Sequence, residues 1–86
     1  MKRSIWKFEV PKLADIVEVT MPKGADVLCA QVQRNTLCLW AKVPAGAPTH
    51  TYPFRIVGTG HPLGKVGRYV DTAQFDNGLV CHVFHA

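Results

Sequence analysis

The chain has 86 residues, of which 48% are hydrophobic, 19% charged and 9% aromatic. That leaves room for one domain, residues 1–86, and excludes a multidomain enzyme, a collagen and a disordered tail. Ten Lys and Arg against six Asp and Glu give a net charge of +4. No apolar run approaches the ~20 residues needed to span a bilayer. The segment Met1-Lys2-Arg3-Ser4-Ile5-Trp6-Lys7 returns to charge before an apolar stretch can form, so it does not read as a signal peptide, and the expectation is a cytoplasmic protein with no membrane partner.

The hydrophobic pattern alternates with a period of two almost throughout. Ser4–Val10 reads as a first strand, with Trp6, Phe8 and Val10 on one face as core and Lys7 and Glu9 on the other. Pro11 ends it, and Lys12–Ile16 has at most the spacing of one helical turn. Ile16–Met21 is a second strand, closed by the turn Met21-Pro22-Lys23-Gly24. Asp26–Gln33 and Thr36–Val43 form a hairpin about Arg34-Asn35. In the latter strand Leu37, Leu39, Ala41 and Val43 share one face, and Cys38, Trp40 and Lys42 the other. Pro44–Thr51 reads as a surface loop, Tyr52–Val57 as a fifth strand and Val66–Phe75 as a sixth. Asp76-Asn77-Gly78 signals a further hairpin with positive φ at Asn and Gly, and Leu79–Phe84 is the last strand. Seven short strands with little or no helix predict an all-β fold, a small sandwich or barrel of six to seven antiparallel strands. So small a core makes oligomerisation a reasonable expectation.

The acids lie at Glu9, Asp15, Glu18, Asp26, Asp71 and Asp76, so no carboxylate falls between Asp26 and Asp71. That interval carries Arg34, Lys42, His50, Arg55, His61, Lys65 and Arg68. Such a stretch favours an anionic partner, or else forms a solvated basic surface. Within it lies Phe54-Arg55-Ile56-Val57-Gly58-Thr59-Gly60-His61-Pro62-Leu63-Gly64. Glycines let a backbone approach a ligand and expose N–H groups to an oxyanion. Thr59 offers a hydroxyl and His61 a ring donor, with Arg55 before the turn and Lys65 and Arg68 after it. Arg55, Gly58, Thr59, Gly60, His61, Lys65 and Arg68 are therefore candidate ligands for a phosphate. Neither the full dinucleotide fingerprint nor a Gly-Lys-Ser/Thr P-loop is present, and the plain alternative is a turn that needs glycine. Trp40, outward beside Lys42, is a candidate stacking surface for a base; otherwise it covers a second core face or a subunit contact.

Catalytic chemistry has thin support. The basic stretch lacks the carboxylates of a magnesium site, and no Ser or Cys sits in a nucleophile elbow. Cys29, Cys38 and Cys81 are widely spaced in apolar surroundings and read as buried thiols. A zinc site on Cys81, His82 and His85 needs a shared face, whereas on a strand Cys81 and His85 point one way and His82 the other. No metal and no cofactor is expected.

On Ile5-Trp6-Lys7-Phe8, Val19-Thr20-Met21-Pro22-Lys23-Gly24-Ala25, Gln31-Val32-Gln33, Cys38-Leu39-Trp40-Ala41, Phe54-Arg55-Ile56-Val57-Gly58-Thr59-Gly60-His61-Pro62 and Leu79-Val80-Cys81-His82-Val83-Phe84, the chain resembles a widespread family of small bacteriophage and prophage proteins, mostly described as a domain of unknown function. It is also similar to phage immune-evasion sponges, which bind the cyclic nucleotide signals of CBASS defence without cleaving them, as oligomers. The resemblance implies a non-enzymatic protein of the bacterial host cell's cytoplasm, a homo-oligomer that holds a small anionic nucleotide. It assigns no contact residue by position, so the candidates above rest on physical grounds. Two other readings stay open: a small basic nucleic-acid-binding module using Trp40 and the same cations, and a phage structural or host-takeover protein that binds another protein.

Overall fold

The computed structural model describes residues 2–86 and holds seven strands: β1 (Arg3–Glu9), β2 (Ile16–Pro22), β3 (Asp26–Gln33), β4 (Thr36–Pro44), β5 (Thr49–Gly58), β6 (Tyr69–Gln74) and β7 (Val80–His85). They form two antiparallel sheets, ordered β1-β4-β3 and β2-β5-β7-β6. The expected all-β fold is what the chain adopts, as a sandwich. Among the described residues there is no helix, so Lys12–Ile16 makes none, and nothing is long and apolar enough to cross a membrane as a helix.

The core follows from period-two alternation on both sheets. Leu37, Leu39, Ala41 and Val43 of β4 face Val17, Val19 and Met21 of β2, Phe54 and Ile56 of β5, Ala73 of β6 and Cys81 and Val83 of β7 in one buried cluster. Among the described residues no polar or charged residue is buried. Phe8 packs half-buried against this cluster, but Trp6 is 52% exposed, contrary to its expected place in the core. Its side chain does take the core-side face, since Trp6 pairs with the core-facing Ala41. It lies on an edge strand, where the opposite sheet does not cover it.

Turn chemistry decides the connections. Arg34 (φ 51°) and Asn35 (φ 63°) both take the left-handed conformation of a two-residue type I′ turn. At Asp76-Asn77-Gly78 only Gly78 has positive φ (92°). The Asn77 side chain instead accepts from the Leu79 N–H, and Phe75 N–H bonds Leu79 O, so the turn is one residue longer than the expected Asn-Gly form. β5 starts at Thr49 rather than Tyr52 because Thr49–Thr51 pair with Thr20–Pro22. Pro53 is tolerated inside β5 because the N–H it lacks would point towards Ala86, whose own N–H bonds the Pro53 carbonyl, one step past the last β5–β7 pair of Phe54 with His85, where a missing donor matters least. β6 starts at Tyr69 rather than Val66, although Gly67 N–H to His85 O and His85 N–H to Arg68 O extend the pairing. A Cβ at Gly67 would sit 2.8 Å from His85 O, so a side chain does not fit there.

The two sheets meet at the β3 and β6 edges, each of which carries a bulge, between Val27 and Cys29 and between Tyr69 and Asp71. Asp71 spans the seam. Its Oδ2 accepts from Ala30 N–H (3.1 Å) and Gln31 Nε2 (2.8 Å), and its Oδ1 from Thr72 N–H (2.8 Å). Asp71→Ala leaves the amide of fully buried Ala30 unpaired. We expect a cost of about 1–3 kcal/mol and a Tm lowered by roughly 5–20 °C, read by thermal circular dichroism. Asp71→Asn, which keeps an acceptor oxygen, loses less.

Candidate functional site

β5 delivers the glycine-rich turn. Phe54 and Ile56 point inward, so Arg55 lies on the outer face of the four-stranded sheet, in register with Ile16 and Phe84. After Gly58 the chain reverses: His61 N–H bonds Gly58 O (3.1 Å), and Gly60 has φ 85°. The His61 ring lies against the Gly58 backbone, where a Cβ would come within 3.0 Å of Nδ1, whereas nothing lies within 4 Å of a Cβ at Gly60. The turn is therefore closed at Gly58 and open at Gly60.

A cleft of about 340 Å³ opens here, lined by Asp15, Arg55, Ile56, Val57, Gly58, His61 and Pro62. A second hollow of about 210 Å³ shares Asp15, Ile56, Gly58 and His61 and adds Leu13, Ala14, Leu79 and Cys81. One compartment is polar and the next is an apolar shelf. The guanidinium of Arg55 is partly committed. Nη1 donates to Asp15 O (3.3 Å) and Ile56 O (3.5 Å), and Nη2 to Leu63 O (3.2 Å). These bonds fasten the segment after the turn to β5 and to the approach of β2. The Asp15 carboxylate, itself exposed, lies 3.8 Å from Nη1. The acid-free interval in sequence thus acquires an acid in space, from the loop before β2.

Thr59 is also engaged. Its hydroxyl lies 2.8 Å from His82 Nε2, while His82 Nδ1 lies 3.0 Å from the Thr72 hydroxyl, which lies 2.7 Å from Tyr69 OH. This chain of hydroxyls and imidazole runs across the outer face of β6 and β7 and pins the turn to the sheet. In the sequence His82 stands out only beside Cys81 and His85, as a candidate zinc ligand. Its outward placement, opposite to Cys81 and His85, was legible from alternation; its partners ten and twenty-three residues away were not.

The other candidates do not converge on the cleft. Lys65 is exposed on the segment after the turn but does not line the cleft. Arg68 is drawn to His85, with Nη2 3.4 Å from Nε2. Trp40 alternates with Leu39 and Ala41 of the core, so it lies on the outer face of the three-stranded sheet, the opposite side of the molecule from Arg55. One chain therefore cannot bring Trp40, Arg55 and His61 to the same ligand. His50, in register with Met21, and His61 sit towards opposite ends of β5, about 25 Å apart at the usual rise per residue.

A family profile, the domain of unknown function DUF7352, matches residues 1–86, and the chain belongs to that family. No curated protein and no solved structure matches it.

His85, at the end of β7, packs its ring 5.1 Å from that of Phe54. Burial lowers its pKa from the ordinary 6.5, Arg68 lowers it further, and Asp26 opposes in part. Below pH 6.5 the unfolded chain therefore takes up this proton more readily than the folded one. Stability is full above that pH and falls as the pH drops from 6.5 towards the lower folded value. We expect Tm to decline between pH 7 and about pH 5, with a shallower decline in His85→Phe, which keeps a ring against Phe54. Burial raises the pKa of both Cys38 and Cys81. A thiol reagent should accordingly modify half-buried Cys29 in the native protein and the other two only after unfolding.

Proposed function

We propose that this member of the DUF7352 family is a binding protein that holds a small phosphate-bearing nucleotide in the cleft at Arg55, Gly58 and His61 and releases it unchanged. The observation that carries this reading is the pairing of a polar compartment with an apolar shelf across His61. Arg55 and His61 suit a phosphate, the open backbone at Gly60 lets it approach, and Leu13 and Leu79 suit the flat face of a base. The Asp15 carboxylate disfavours a second anion beside it and favours a sugar hydroxyl or base amino group. The resemblance to phage proteins that sequester cyclic nucleotide signals of CBASS defence supports the narrower version, immune evasion in a bacterial host. At about 340 Å³ the polar compartment is near the lower end of small-molecule sites.

Trp40 supports a second reading. Lys7 is its register partner on β1, and Lys42 lies two residues along the same outer face. An indole between two cations is a platform for single-stranded nucleic acid. The two readings differ in salt response, since displacing counterions from several phosphates makes nucleic-acid affinity fall steeply with salt, while a small ligand responds far less.

The test is calorimetry and thermal shift of the full chain with inorganic phosphate, nucleoside monophosphates and cyclic mono- and dinucleotides, with mass analysis of recovered ligand. His61→Ala is the clean probe, because the exposed ring has no hydrogen-bond partner among the described residues and the turn is held by the His61 amide. It is expected to weaken binding at least about tenfold while moving Tm by less than about 3 °C. Arg55→Ala is expected to lower both affinity and stability, because it releases Leu63, Asp15 and Ile56 together. If no member of the panel shifts the wild-type Tm, the cleft is not a nucleotide site. If the ligand returns hydrolysed, the protein is an enzyme.

A further inference from the structure

The four sheet edges are not alike. β3 and β6 are bulged and bridged by Asp71. On β2, the bond from Ile56 N–H to Asp15 O fixes the parity: even-numbered residues turn their backbone outward, with Glu18 in the middle and proline at position 22. Charges, bulges and prolines are the usual guards of a free edge. β1 lacks the last two: it runs in unbroken register with β4 from Arg3 to Glu9 and contains no proline. Its central charge, Lys7, reaches inward across the sheet, its Nζ 2.7 Å from Gln33 Oε1 on β3. Its apolar residues are uncovered, Ile5 at 63% and Trp6 at 52% exposure.

The hydrogen-bond parity of β1 is also fixed. Ala45 N–H bonds Lys2 O and Val10 N–H bonds Leu37 O. Even-numbered residues therefore spend their backbone groups on β4, and Arg3, Ile5, Lys7 and Glu9 present theirs to the free side. We propose that two copies pair β1 with β1, antiparallel, about a two-fold axis at Trp6. In that register Arg3 opposes Glu9 of the second copy, Ile5 opposes its Lys7, and the reciprocal pairs follow by symmetry. All four are hydrogen-bonded pairs built from the residues whose groups are free. Trp6 meets Trp6 in a non-hydrogen-bonded pair, where side chains come closest. Moving the axis to Ile5 sets Arg3 against Lys7, and moving it to Lys7 sets Lys7 against itself. Charge thus selects the Trp6 register over both neighbours of the same parity. The product is one continuous six-stranded sheet, β3-β4-β1-β1-β4-β3. The two indoles, each 6.4 Å from its own Phe8 ring, cover one another on the core side.

Sedimentation equilibrium and native mass spectrometry of the full chain test this pairing. The wild type is expected to be dimeric at about 100 µM. Arg3→Glu or Glu9→Arg alone sets like charges opposed at two places and should weaken the dimer by roughly tenfold; the double variant should recover it. Lys7→Pro removes an N–H that faces the free side and spares the β4 ladder, so it should give a folded monomer by circular dichroism. If that variant fails to fold, the exposed charge reversals decide alone. A wild type monomeric at this concentration, or a dimer indifferent to both single reversals, overturns the proposal. Neither result bears on nucleotide binding, which concerns the outer face and end of the other sheet.

Discussion

A single dry layer of side chains holds this small protein together. Leu37, Leu39, Ala41 and Val43 on one sheet and Val17, Val19, Phe54, Ile56 and Val83 on the other are spaced two residues apart, so each strand commits every second position to the same cluster. With 86 residues there is one such layer. Most of what alternates with it faces outward, although Cys38 and Val57 on the outer faces are themselves covered. Trp40, Arg55 and His82 are all such alternates, and which side of the sandwich each occupies follows from which sheet its strand joined.

At the cleft, stability and recognition draw on the same groups. Arg55 bonds three carbonyls from separate segments, and Thr59 bonds His82, so two of the polar groups expected to meet a ligand first hold the turn in place. Such commitments preorganise a site, because the groups that remain are fixed before a ligand arrives. His61 differs. Its ring rests on Gly58, and among the described residues its nitrogens have no partner, which leaves them open to a ligand.

The edges complete the economy of the fold. At the β3–β6 seam, two bulges and one carboxylate close the sandwich. At β1, among the described residues, no bulge or bridging side chain closes it, and an indole that belongs by alternation to the core is half exposed. A small core gains most from association, since the fraction of surface buried rises with size.

Period-two alternation and turn residues determined the strands, their faces, the hairpin at Arg34-Asn35 and the core of β4, because these depend on neighbours only a few residues apart. Alternation also separated His82 from Cys81 and His85. The extents of β5 and β6, the exposure of Trp6, the arrival of Asp15 beside Arg55, the seam at Asp71 and the separation of Trp40 from the glycine turn were settled by the pairing of strands distant in sequence. The chain alone encodes which side of its own strand a residue takes. Which sheet that strand enters, and what lies across from it, comes from long-range packing, and so only the folded structure decided which of the basic and aromatic residues share a surface.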